Sequence, residues 1–180
     1  MIGNDIVDLS LANQQSNWQR KGWVQKIFTD REQADIYASK NPRILVWKYW
    51  SMKEAVYKAH QRRHTLIPKY NPRDFECTQE ETVNIDNLLY TVDSILHPQY
   101  IYSIARDGHI ECRSQVVESR TQIRSKLQAV ISQELGIPTS LISFSKDLNR
   151  VPVVCIDKKA SAIPVSITHH GQYSAFVVSI

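Results

Sequence analysis

The 180-residue chain predicts an α+β fold, an antiparallel sheet packed with helices. Three observations predict it. Two stretches, from Pro42 to about Gln61 and from about Ser119 to Leu135, space their apolar residues at helical intervals. The stretch between them, 74–115, lacks that period and is rich in β-branched and aromatic residues. The order along the chain is strand, helices, strands, helix, strands, with no repeat or low-complexity tract, which suits one domain over 1–180.

Residues 2–9 read as a strand, rich in β-branched residues and poor in helix formers. Thr29-Asp30-Arg31-Glu32 is a capping-box pattern, so a short helix opens there and runs to about Ser39. The longer helix begins after Pro42, and Leu45, Tyr49, Met52, Val56 and Ala59 form its apolar stripe. Pro68 and Asn71-Pro72 mark a loop. Strands are expected near 83–94, 99–106 and 109–116, the last two joined by a hairpin turn at Asp107-Gly108. The second amphipathic helix turns Ile123, Leu127, Val130, Ile131 and Leu135 inward, and Gly136 with Pro138 ends it. Strands near 141–146, 152–156, 163–168 and 173–179 complete the order.

Hydrophobic content of 42% and charged content of 22% are ordinary for a soluble globular protein. The apolar runs are a few residues long, which argues against a membrane span, and the N-terminus lacks a secretory-signal pattern. Cys77, Cys112 and Cys155 are too far apart for a C-x-x-C metal site, and their odd number argues against a disulfide framework. Together these features point to the cytoplasm. A net charge of +4 and a pI near 9.0 suit an acidic protein, a nucleotide or nucleic acid as partner. The basic residues are scattered, with Arg62-Arg63 the one notable cluster outside helical faces, and this weighs against nucleic acid.

The residues that carry chemistry lie in Trp50-Ser51-Met52-Lys53-Glu54-Ala55-Val56-Tyr57-Lys58 and in Ile2-Gly3-Asn4-Asp5-Ile6-Val7-Asp8-Leu9. Glu54 and Lys58 share a helix face opposite the apolar stripe and beside Trp47 and Trp50. On a solvated helix such a pair is an ordinary ion pair worth about 0.2–0.5 kcal/mol. Aromatics on both sides of this helix instead predict that Glu54 stands at a cleft edge. Strand alternation turns Asp5 and Asp8 to opposite faces, so one metal ion cannot take both. The sensible ligand pair is Asp5 with Glu54, and Asp8 is read as a turn or helix N-terminal carboxylate. Two carboxylates can share a hard cation, and a lysine beside them can meet the phosphates such a cation carries.

The pattern W-S-x-K-E-A-x-x-K behind I-G-x-D-I-V-D, with Ser166-Ile167-Thr168-His169-His170 near the C-terminus, resembles the 4′-phosphopantetheinyl transferases. These enzymes move the phosphopantetheine arm of coenzyme A onto a serine of a carrier protein. The resemblance implies that family's fold, coenzyme A as substrate and dependence on Mg2+. It implies that Asp5 and Glu54 hold the metal together with the pyrophosphate, and that Glu54 and Lys58 carry the catalysis. By the same match Lys53, Lys58, Ser166 and His169 contact coenzyme A, the last two near the phosphates of its nucleotide end. Two-lobed members have a further acid where this chain has Val7, and the S-I-T-H element comes last here, so the motif order is nearest the small holo-acyl-carrier-protein synthases. The resemblance covers mainly residues 2–9, 28–59 and 141–179, leaving about 70–140 as an addition to the small enzymes. Gln61-Arg62-Arg63-His64 stands where a glycine-rich turn is common, and Asn149-Arg150-Val151-Pro152 where a glycine-lysine-proline turn is common. Whether Arg62, Arg63 or Arg150 meets a phosphate is left open by the sequence.

The partner so implied is an acidic apo acyl carrier protein or carrier domain of fatty acid, polyketide or peptide synthesis. The alternative is a catalytically inactive module that binds coenzyme A or a carrier protein, and intact Asp5, Glu54 and Lys58 speak against it. Small synthases are trimers with sites between subunits, whereas two-lobed enzymes are monomers. The stripe from Ile123 to Leu135 suits the exposed sheet face of a minimal synthase protomer, so a monomer is preferred over a trimer.

Overall fold

The computed structural model of the protein describes residues 1–118 and 120–180. Its first strand, β1 (Ile2–Asp8), ends on a carboxylate that starts the next helix: Asp8 Oδ1 accepts from the amides of Ser10 and Leu11 at 3.0 and 3.1 Å. That helix, α1 (Leu9–Gln15), and the next, α2 (Trp23–Ile27), fall in a stretch where the sequence carries no periodic signal. Both are too short to persist alone and depend on tertiary packing. The helix α3 (Asp30–Ala38) opens with the expected capping box, Thr29 and Glu32 bonded reciprocally. The long helix α4 (Pro42–His64) buries Tyr49, Met52, Val56 and Ala59 of the expected stripe completely, and Leu45 in part.

β2 (Glu76–Cys77), β3 (Thr82–Ile85), β4 (Leu88–Leu96) and β5 (Tyr100–Arg106) form an antiparallel meander, and β1 joins its far edge beside β5. The single strand expected over 83–94 is therefore two strands. Asp86 and Asn87 break it, with φ of +51° and +60°, the two-residue turn whose twist matches that of the flanking strands. Asp107-Gly108 does not make the expected hairpin. β6 (Arg113–Val117) leaves this sheet and pairs instead with β11 (Tyr173–Val178), because its apolar residues find their cover there. The helix α5 (Ile123–Leu135) follows; its expected start, Ser119, lies outside the described residues. β7 (Ile142–Lys146), β8 (Pro152–Ile156) and β9 (Lys159–Ala160) make a small sheet, and β10 (Val165–His170) with β11 and β6 makes another. The architecture is α+β, antiparallel sheets packed with helices.

Three apolar clusters hold the layers together. α4 covers one face of the five-stranded sheet. The other face, at Ile2, Ile6, Tyr102 and Ile104, packs on Tyr173, Ala175 and Val177 of β11. The stripe of α5 covers β7, β8 and the far side of β11 through Ile123, Leu127 and Ile131, not the first sheet. Leu135, expected inward, is 37% exposed in the last turn before Gly136 ends the helix. Among the described residues no helix is long and apolar enough to cross a membrane, and Cys77, Cys112 and Cys155 are free thiols.

Candidate active site

Strand alternation turns Gly3, Asp5 and Val7 of β1 toward α4. At Gly3 the two elements touch: a Cβ there would overlap the carbonyl oxygen of Ala55 and crowd the backbone of Ala59. That close approach, together with the hydroxyl of Ser51 donating to the carbonyl of Asp5 at 3.2 Å, fixes how far Asp5 stands from the Glu54 turn. The other neighbour of β1 is β10, held by side chains rather than by a ladder. Ser166 Oγ accepts from the amide of Asn4 at 3.2 Å, the hydroxyl of Thr168 donates to Asp5 Oδ1 at 3.0 Å, and His170 Nδ1 accepts from the amide of Asp8 at 2.9 Å. Alternation sends the residue between the last two, His169, the other way.

Lys58 joins the three elements. Its ammonium donates to Asp5 Oδ1 at 2.9 Å, to the carbonyl of Asn4 at 2.9 Å and to Thr168 Oγ1 at 3.1 Å. On either side of this knot lies a cavity. One, about 360 Å³, is walled by Asp5, Glu54, Trp47, Trp50, Ile27 and His169, carboxylates and aromatic faces together, with Gln15, Ser16 and His170 adding polar groups. The other, about 460 Å³, is basic: Lys58, Arg62, Arg124, Lys146, Arg150 and His169 contribute to its wall, and Ser166 lies in it too. His169 lines both, so the cavities meet beside the Asp5–Lys58 pair.

Burial holds the Glu54 carboxyl well above its ordinary range, pushed up to about 7; the negative charge of Asp5 adds to this and Lys58 opposes it. His169 is shifted down, first by burial and then by the positive charges of Arg120 and Lys58. Both shifts favour the uncharged form, in two residues that line the same cavity.

Of the residues singled out in the sequence, Asp5, Glu54, Lys58 and His169 come together here, and Ser166 lies in the basic wall while bonding β1. Lys53 does not. Its side chain is fully buried on the opposite flank of α4, donating to Glu32 Oε2 at 2.7 Å, to the carbonyl of Pro72 at 2.9 Å and to the carbonyl of Phe75. No coenzyme can reach it without breaking that set. The reason is the 100° turn per residue: consecutive Lys53 and Glu54 leave the helix on different faces. Arg62 braces β8 to β10, donating to the carbonyls of Pro152 and Val165, and Arg63 pairs with Asp107. Thr168 was missed at the sequence level, although its place two residues from Ser166 on a strand was a signal that both face β1. Arg124 and Lys146 were missed because nothing in a scattered charge pattern says which cations will converge.

Among the described residues no group of three or more side chains of the metal-binding types is assembled. The donors present still fit magnesium. They are two hard carboxylates at one cavity wall, one of them held protonated first by burial and then by the other's charge, and magnesium commonly takes only one or two carboxylates plus waters and substrate oxygens.

No curated protein matches the chain. Among solved structures it is similar to the holo-[acyl-carrier-protein] synthase of Thermotoga maritima, at 12% identity and a TM-score of 0.44, over 87% of this chain and 82% of that one. The family model of the 4′-phosphopantetheinyl transferase superfamily matches residues 1–109, which contain β1, the whole of α4 and with them Asp5, Glu54 and Lys58. A match over more than half of the sequence establishes that the chain belongs to the 4′-phosphopantetheinyl transferase superfamily.

Proposed function

We propose that the chain is one holo-acyl-carrier-protein-synthase-type domain that transfers the 4′-phosphopantetheine arm of coenzyme A to a serine of an acidic apo carrier protein, with Mg2+ required. The observation that carries this reading is the junction itself. A basic cavity and an aromatic-walled cavity meet at two carboxylates and a lysine, the arrangement a long, phosphate-rich, thiol-tailed coenzyme needs. In this reading Lys58, Arg124, Lys146 and Arg150 offer charge to the phosphates, and His169 lies beside them. The arm lies along Trp47, Trp50 and Ile27.

Asp5 and Glu54 would hold the metal. When bound it neutralises pyrophosphate charge and orients the chain of phosphates. The serine oxygen forms a bond to the phosphorus that carries the pantetheine arm, and the bond from that phosphorus to the bridging oxygen of the nucleotide breaks. The serine proton goes to Glu54 or to a water ordered by the metal, the two bases within reach of the junction in this reading. Lys58 offers its ammonium to the charge that grows on the transferred group and the departing nucleotide phosphate.

The test is mass spectrometry of a carrier protein after incubation with the chain, coenzyme A and magnesium. The carrier should gain about 340 Da, the arm carried by the metal-assisted transfer. Asp5→Ala and Glu54→Ala should each abolish the gain while the protein stays folded. Full transfer by both variants at saturating magnesium would remove the reading.

A further inference from the structure

Glu54 has a roof that comes from neither of the motifs that mark the site. Trp50 and Tyr57 flank Glu54 on one stripe of α4, four residues before it and three after. The ring of Tyr70 packs on both of them, its centroid 6.1 Å from that of Trp50 and 4.8 Å from that of Tyr57. A ring that touches both flanking residues lies over the one between them. Phe75 backs Tyr70 at 5.6 Å and reaches Tyr57 at 6.1 Å. The segment 70–75 is pinned from below, because the carbonyls of Pro72 and Phe75 accept from the buried ammonium of Lys53.

The hydroxyl of Tyr70 is buried and has no hydrogen-bond partner among the described residues. Buried phenols normally find one, and leaving the group unpaired is unfavourable. The neighbours that bear on it electrostatically are acids: after burial, the charges of Glu54 and then Asp5 do most to hold its proton on. Tyr57, on the other side of Glu54, is likewise shifted up by burial and then by Glu54. A buried donor without an acceptor thus lies within the electrostatic reach of Glu54, packed on the two residues that flank it.

We propose that Tyr70 is a positioning residue whose hydroxyl, unpaired in the metal-free protein, donates on metal binding to the Glu54 carboxylate oxygen that does not face the metal, so that the other oxygen is aimed across the cavity toward Asp5. The proposal rests on the magnesium reading above. Partners of this kind fix the orientation of metal-binding carboxylates, and losing one typically costs about 10–100-fold in metal affinity or activity.

Tyr70→Phe removes the hydroxyl and keeps the ring. Two quantities decide the matter: magnesium affinity, measured calorimetrically on the chain with coenzyme A and no carrier, and the melting temperature of the metal-free protein. The expected result is a loss of magnesium affinity of about 10-fold or more with no fall in melting temperature, since the free protein loses only an unpaired buried hydroxyl. Equal magnesium affinity in Tyr70→Phe and the unaltered chain overturns the proposal and leaves the magnesium reading intact. A fall in melting temperature assigns the hydroxyl a structural role and also overturns it. If the unaltered chain takes up no magnesium, the metal reading fails first and the proposal falls with it.

Discussion

Glu54 holds its proton up to about pH 7 in the folded protein, against an ordinary value of 4.5, because burial and Asp5 both disfavour its charge more than Lys58 favours it. The sign of the consequence follows from proton counting. Between pH 4.5 and about 7 the folded state binds more protons at this residue than the unfolded state does. The stability that Glu54 contributes is therefore fully present below 4.5 and is lost as pH rises through about 7. Thermal melts of the metal-free protein across that window should fall more steeply for the unaltered chain than for Glu54→Gln, which cannot titrate. Added magnesium should flatten the difference, since the metal takes the place of the proton. An identical pH dependence in the two proteins would show that Glu54 is not held in this way. The same residue-scale view separates His169 from His170. His170 accepts from the Asp8 amide and stands 3.3 Å from Gln15 Oε1, so it is part of the clasp between β10 and β1, whereas His169 is the one that lines both cavities.

At the scale of elements, one buried ion pair holds four of them together. Glu32 accepts from the amide of Thr29 at the start of α3 and from the amide of Cys77 on β2, and the Lys53 ammonium of α4 ties it to the turn at Pro72. Lys53→Met would leave the Glu32 carboxylate buried without its counter-charge, and removing one partner of such a pair typically costs about 3–5 kcal/mol. The expected outcome is a large drop in the melting temperature of the metal-free protein. A raised Michaelis constant with unaltered stability would mean that Lys53 reaches the coenzyme after all. Glycine matters at two junctions of elements. Gly3 permits β1 to lie against α4, and Gly171, at φ +59°, turns β10 into β11 where any Cβ would strike the Asp8 carboxylate. The Gly3 contact is with the backbone of α4, so the approach of Asp5 to the Glu54 turn is set by backbone packing, whereas the Gly171 turn closes on the Asp8 side chain.

At the scale of the whole molecule, residues from both ends of the sequence meet within one chain. Asp5 on β1, Lys58 on α4 and Thr168 on β10 are in direct hydrogen-bond contact, 163 positions separating the first from the last. The segment 70–140, which supplies β2 to β6 and α5, gives β11 its second strand partner and covers β7 and β8. We propose that the site is completed by the chain's own acids, lysine and histidine, without a neighbour's. Mixing Asp5→Ala with His169→Ala should therefore restore no activity, and sizing should give a monomer. Recovery on mixing would place the site between subunits.

Much of this was legible from residues 2–9 and 50–58, and the reason is local. Capping chemistry at Thr29, the spacing of Tyr49, Met52, Val56 and Ala59, and the alternation of Asp5 against Asp8 are short-range properties that hold whatever the rest of the chain does. They determined the class of fold, the identity of the main helix and the pairing of Asp5 with Glu54 as candidates. The tertiary structure alone decided what depends on distant partners. It turned Asp107-Gly108 from a hairpin into a crossing between sheets, because β6 had a better partner in β11. It buried Lys53 while leaving its neighbour Glu54 at a cavity. It gathered Arg124 and Lys146 beside Lys58, and it laid Tyr70 over Glu54. Sheet partners, buried charges and cavity walls are set by which surfaces exclude water together, and that is a property of the packed chain rather than of any window within it.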